Sequence, residues 1–169
     1  MTKLYSNLST GKVKVQLNVL RILKYILLLL TFRKTPQNHT NYFFNELSSL
    51  IKHKLFQFNR QTVFYIHGWT ESFESQHINI VSKAYIERND HNIVIVDWGK
   101  YSVGGYYLTI PKFTQISKLI GHHLVELFQN GLNLHKFHCV GHSFGAHICA
   151  IMSREVKRIS RGKYNLKRF

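Results

Sequence analysis

Gly141, His142, Ser143, Phe144 and Gly145 read G-x-S-x-G, the spacing of a nucleophile elbow, in which a serine stands on a tight turn between a strand and a helix. The chemistry is acyl transfer. The turn lifts the hydroxyl above the sheet edge, where it can attack a carbonyl carbon and form an acyl-serine intermediate. Glycine is needed at both ends because a side chain two positions from the serine would collide with neighbouring main chain. The flanks suit such a turn: residues 137–140 supply a strand, and Ala146, Cys149 and Ala150 supply small side chains that let a helix pack closely beneath it.

Acyl transfer develops an oxyanion, which needs backbone N–H donors. His67, Gly68 and Trp69 end an earlier apolar run and form a second tight loop. The N–H groups of Trp69 and Phe144 are therefore the candidate oxyanion donors. A plainer reading stands beside this one, in which Gly68 closes a strand and His67 is a buried, hydrogen-bonded core histidine.

The elements that must hold these groups show in the apolar patterning. Residues 62–66 and 93–96 are short β-branched and aromatic runs followed by Gly68 and Gly99, and 136–140 runs into Gly141; all three are predicted as buried strands. Ile78, Val81 and Tyr85 recur at helical spacing, as do Phe113, Ile116, Ile120, Leu124 and Leu127 before a stop at Asn130 and Gly131. Cys149, Met152, Val156 and Ile159 make a third such face. Strand–helix alternation repeated three times predicts an α/β fold, a mostly parallel sheet with helices on both faces. Cys139 and Cys149 are read as small core residues rather than as a bridge.

Length and composition narrow the class. The chain has 169 residues, 44% of them hydrophobic, enough for one domain with a core and too few for several. Two cysteines exclude a disulfide-stapled miniprotein, and no Cys/His spacing is that of a zinc site, so no metal or other cofactor is expected. Lys and Arg number 23 against 8 Asp and Glu, a net charge of +15. The excess gathers at the ends. Arg154, Lys157, Arg158, Arg161, Lys163, Lys167 and Arg168 lack the interleaved aromatics of a base-stacking platform, so the run reads as a solvated helix face and tail, and no nucleic-acid partner is expected. The apolar stretch at 25–32 is too short to span a bilayer. Lys12, Lys14, Arg21 and Lys24 ahead of it imitate a secretory signal, but no small-residue cleavage site follows, and a strand is predicted instead. Residues 1–24 are read as a basic N-terminal segment and 25–169 as a partial α/β domain. Asn7-Leu-Ser9 and Asn38-His-Thr40 are glycosylation sequons, consistent with secretion.

Three segments carry a resemblance: Tyr65-Ile-His-Gly-Trp-Thr-Glu-Ser72, Val94-Ile-Val-Asp-Trp98 and Val140-Gly-His-Ser-Phe-Gly-Ala-His147. In this order and spacing they resemble the pancreatic-lipase-like family, nearest to its insect lipase and phospholipase A1 members, over residues 27–162. The resemblance implies an α/β-hydrolase fold, Ser143 as nucleophile, Trp69 and Phe144 as oxyanion donors, and Asp97 with Trp98 as a structural pair at a strand end. It further implies a secreted, extracellular esterase that works at a lipid–water interface on acylglycerols or phospholipids, without a catalytic metal.

In this fold the triad acid and histidine follow the serine. Downstream of Ser143 the chain offers Glu155 and His147, both on the helix that starts at the elbow, and neither is placed to meet the hydroxyl from the substrate side. Asp97 with His67 or His142 is the upstream substitute. The chain is thus expected to be the N-terminal part of such a domain, incomplete at its C-terminus, without the triad Asp and His and inactive by itself. The alternative is a non-catalytic isoform or pseudoenzyme that binds lipid or a partner. Trp69, Phe73, Tyr106, Tyr107 and Phe144 suit an acyl chain and would equally suit a core.

Overall fold

The computed structural model describes residues 27–31 and 39–167; the segment 1–24 and the sequon residues Asn7 and Asn38 lie outside them. The strands are β1 (Leu27–Thr31), β2 (His39–Phe43), β3 (Gln61–Ile66), β4 (His91–Asp97) and β5 (Phe137–Gly141). The helices are α1 (Gln76–Arg88), the single turn α2 (Gly99–Ser102), α3 (Tyr106–Gln129) and α4 (Phe144–Ile159), with 3-10 segments at Phe44–Lys52 and Leu134–Lys136. The strands form one sheet in the order β2-β1-β4-β3-β5. β3 pairs in parallel with β4 and with β5, whereas β1 runs antiparallel to β4 and to β2. Residues 27–31 of that apolar run are thus an interior strand of the sheet, and 25, 26 and 32 lie outside the described residues.

Strand residues point alternately to opposite faces, and this sheet has a core on each. Phe64, Ile66, Val94 and Val96 join the larger core with residues of α3 and α4, while Val63, Tyr65, Ile93 and Ile95 meet Ile78 of α1 on the other face. A strand buried on both faces reads as a continuous apolar run rather than an alternation. The α1 helix stops where Asn89 turns left-handed (φ 52°, ψ 27°) and its N–H reaches back to Ile86 O and Tyr85 O. The α3 helix stops at the expected place, where the Leu132 N–H donates to Leu127 O at 2.9 Å. Arg154, Lys157, Arg158, Arg161, Lys163 and Lys167 are exposed, the solvated face that the sequence suggested. Among the described residues no helix is long and apolar enough to cross a membrane.

One expectation is corrected. Cys139 and Cys149 are buried but are not merely small core residues: they form a disulfide, with Cα atoms 6.0 Å apart. The elbow folds α4 back against β5, so a residue four before Ser143 comes beside one six after it. Closing a loop of this length stabilises by about 2–3 kcal/mol in the chain-entropy account. Cys149→Ser should lower the urea-unfolding free energy by that amount without reductant, and wild type in excess dithiothreitol should match it. Equal stability of variant and oxidised wild type would mean that the bridge does not form.

Candidate active site

The site stands at the carboxyl ends of β3, β4 and β5, where the parallel strands give way to loops. β5 ends at Gly141, α4 begins at Phe144, and the two-residue turn leaves Ser143 at φ 51°, ψ −117°. This is backbone that a side chain disfavours, by about 1–3 kcal/mol, and it persists only where the surroundings hold it. They do so here through the neighbouring strand, because the His142 N–H donates to Ile66 O at 2.9 Å. A Cβ at Gly145 would lie 2.0 Å from that same Ile66 oxygen, and one at Gly141 would lie 2.3 Å from Ala146 N. Both elbow glycines are therefore steric necessities. Ser143 is exposed, Phe144 behind it is buried, and the turn presents the hydroxyl to solvent.

The loop after β3 is fixed from below. In the register of β3 and β4, Ile66 faces Val96, so the next residues, His67 and Asp97, emerge side by side. His67 is fully buried; its Nε2 lies 2.9 Å from Asp97 Oδ1, and its Nδ1 donates to Gly68 O at 2.9 Å. The Trp98 indole, buried beside it, donates Nε1–H to His67 O at 2.8 Å. His67 is therefore the buried, hydrogen-bonded histidine of the plainer reading, and in that role it sets the path of the loop that carries Trp69. The Gly68 N–H donates to Glu71 Oε2 at 2.5 Å and the Thr70 N–H to Ser102 O at 3.3 Å. Between these committed groups, the Trp69 N–H has no acceptor among the described residues. Across the cavity the Gly145 and Ala146 N–H groups close the first turn of α4 on His142 O and Ser143 O, and the Phe144 N–H is likewise left without an acceptor among the described residues.

Burial pushes the Asp97 carboxyl up, but the hydrogen bonds from His67 and the Gly99 N–H and the charge of His67 more than offset it, leaving its pKa below the usual value. A depressed carboxyl stabilises the fold above its unfolded pKa, and the contribution is lost as the pH falls through the folded value. Asp97→Asn should therefore lower stability at pH 7 and flatten the loss of stability below about pH 4. Chemical unfolding between pH 7 and pH 2 checks this, and an acid limb as steep as wild type would remove Asp97 as its source.

Trp69, Glu71, Tyr106, His142, Ser143, Phe144 and His147 line a cavity of about 320 Å³. Trp69 and Tyr106 meet edge to face, as do Tyr106 and Phe144, which makes one wall apolar. Of the residues that suited an acyl chain, Tyr107 is exposed to solvent and Phe73 packs into the α1 core, so neither lines this wall. His147 does line the cavity, with its ring near Phe113 and Phe144. Glu155 is paired with Arg158 along α4 and packs under Gly121, away from the elbow. His142 turns to Glu71, with Nδ1 3.1 Å from Oε1, and His67 turns to Asp97. Among the described residues no imidazole is paired with Ser143.

The family model described as Lipase matches residues 6–168. The chain belongs to the lipase family. Among curated relatives it is 23% identical over 116 residues to a phospholipase A1 of Vespula maculifrons, covering 63% of this chain and 39% of the relative. To phospholipase A1 VesT1.02 of Vespa tropica it is 25% identical, covering 72% of this chain and 42% of the relative. To pancreatic triacylglycerol lipase of Oryctolagus cuniculus it is 31% identical over 128 residues, covering 71% of this chain and 26% of that lipase. The chain thus spans well under half the length of these relatives.

The lipase motifs all fall on the three parallel strand ends, which is why they were legible. The sequence did not bring Glu71 and His77 to the site. His77 lies in the first turn of α1, 3.1 Å from Glu71 Oε2, and a gap of 65 residues from His77 to His142 carries no local signature. The signal available was indirect: two parallel strand ends in register must bring the loops that follow them together.

Proposed function

We propose that this chain carries the nucleophile and both oxyanion donors of a carboxylic ester hydrolase that cleaves lipid acyl esters, of lipase or phospholipase A1 type. The observation that carries the reading is the Ser143 turn, a strained, exposed serine between two glycines that no larger residue could replace. In this mechanism Ser143 Oγ attacks the ester carbonyl and its proton passes to a base. The oxyanion then accepts from the Trp69 and Phe144 N–H groups, and collapse of the intermediate expels the alcohol and leaves an acyl-serine that water hydrolyses. The apolar wall of Trp69, Tyr106 and Phe144 takes the acyl chain at a lipid–water interface.

His67 and His142 are committed to carboxylates away from this chemistry. The acid and base of the triad therefore belong to residues other than those described, and the 169-residue chain alone turns over ester slowly. The Cys139–Cys149 bridge supports an oxidising, extracellular setting. Hydrolysis of a lipid ester by the native product, compared with its Ser143→Ala variant, tests the reading; a rate that survives the substitution overturns it. A native product that binds lipid without turnover would favour the non-catalytic alternative, which the absence of an imidazole on Ser143 among the described residues also supports.

A further inference from the structure

We propose that Glu71, His77 and His142 form a binding site for one divalent transition-metal cation of the zinc class on the rim of the cavity, beside Ser143. Each residue offers one ligand atom, and the three atoms lie within 4.8 Å of one another. His77 Nε2 at 3.1 Å and His142 Nδ1 at 3.2 Å both approach the same carboxylate oxygen, Glu71 Oε2. Zinc bonds of about 2.0–2.1 Å in a tetrahedron leave neighbouring ligand atoms about 3.3 Å apart, so two edges of the site already have the required length. The third edge joins two imidazoles whose ring centroids are 5.4 Å apart.

The ligands come from three different elements, each separately held. Glu71 is fixed by the Gly68 N–H, His77 by the first turn of α1, and His142 by the elbow, whose main chain is tied to β3. His77 Nε2 is itself enclosed by protein and, although close to the Glu71 carboxylate, has no aligned hydrogen-bond partner among the described residues. A buried imidazole nitrogen without such a bond costs free energy, and a metal ion on its lone pair removes that cost.

Two imidazoles with one carboxylate favour zinc over the harder magnesium or calcium, which take oxygen ligands. A position on the rim also matters. A Cβ at Gly68 would lie 3.1 Å from Glu71 Oε2, 3.2 Å from His142 Nδ1 and 3.2 Å from Ser143 Cβ, so the cation would sit next to the nucleophile. It would lock the Trp69 loop, α1 and the elbow together.

The test is calorimetric titration of Zn²⁺ into the full 169-residue chain in chelator-free buffer at pH 7.5, and its readout is independent of ester hydrolysis. Wild type should bind one equivalent. His77→Asn, His142→Asn and Glu71→Gln should each weaken binding about tenfold or more, whereas His122→Asn, beside Glu155 on the far side of α4, should not. Glu71→Gln keeps an oxygen for the Gly68 N–H, so it separates the metal from the loop brace, and near-UV circular dichroism identifies which variants are folded. The proposal is overturned if wild type binds no Zn²⁺, if the folded variants bind it as tightly as wild type, or if Mg²⁺ competes equally.

Discussion

Gly145→Ala is expected to cost about 4 kcal/mol or more of folding free energy, enough to remove a large share of a domain's stability. The added methyl would stand 2.0 Å from Ile66 O, 2.7 Å from Ile66 C and 2.9 Å from His67 O. All three are main-chain atoms of β3 and the loop beyond it, so no rotamer can relieve the clash. Nor can α4 slide away, because Ile66 O is also the acceptor of the His142 N–H; separation would break the bond that anchors the elbow. Gly162→Ala is the matched control. Its φ is +85° and nothing lies within 4 Å of the added carbon, so it carries only the left-handed backbone cost, about 1–2 kcal/mol. Urea unfolding of both variants beside wild type separates collision from dihedral preference. Equal losses would mean that the close approach of α4 to β3 is not what the glycine serves.

The same close approach explains what the sequence could and could not tell. β3 and β4 were legible because burial on both faces leaves an uninterrupted apolar run, and α3 because five apolar residues keep one helical face to Leu127. β2 was not. His39, Thr40, Asn41 and Tyr42 are the polar-rich sequence of an edge strand paired only with β1, with no second buried face to impose a pattern. The direction of β1 was hidden too, since an apolar run does not encode whether its neighbour is parallel. The Cys139–Cys149 bridge was missed although its cause was in view: an elbow that doubles the chain back sets the strand before it against the helix after it. The His67–Asp97 pair follows from a register of parallel strands, which only pairing in three dimensions supplies.

Ser143→Ala should lower kcat for a lipid ester about 10⁵- to 10⁶-fold in the native product while leaving KM nearly unchanged, since the hydroxyl makes bonds in the transition state and the apolar wall holds substrate without it. What survives should be the contribution of the Trp69 and Phe144 N–H groups, about 10³- to 10⁴-fold over the uncatalysed reaction. Stability must be shown to be intact for the loss to be chemical, and the backbone makes this testable. Alanine keeps the Cβ and therefore the strain at φ 51°, so Ser143→Ala should unfold within about 0.5 kcal/mol of wild type. Ser143→Gly relieves that strain and should be more stable by about 1 kcal/mol while equally slow. A serine that served only to shape the turn would reverse the pattern, with Ala and Gly differing in stability and neither losing rate. The described residues alone give a different expectation: with His67 held by Asp97 and His142 by Glu71, no base deprotonates Ser143, and its replacement in the 169-residue chain should change the ester hydrolysis rate little. A large Ser143-dependent rate in that chain would mean that one of these two imidazoles leaves its carboxylate for the serine, or that His147, which also lines the cavity, takes the proton. Of the two paired imidazoles, His142, exposed and one residue from Ser143, is the one with the shorter path, and His142→Asn would then be as slow as Ser143→Ala.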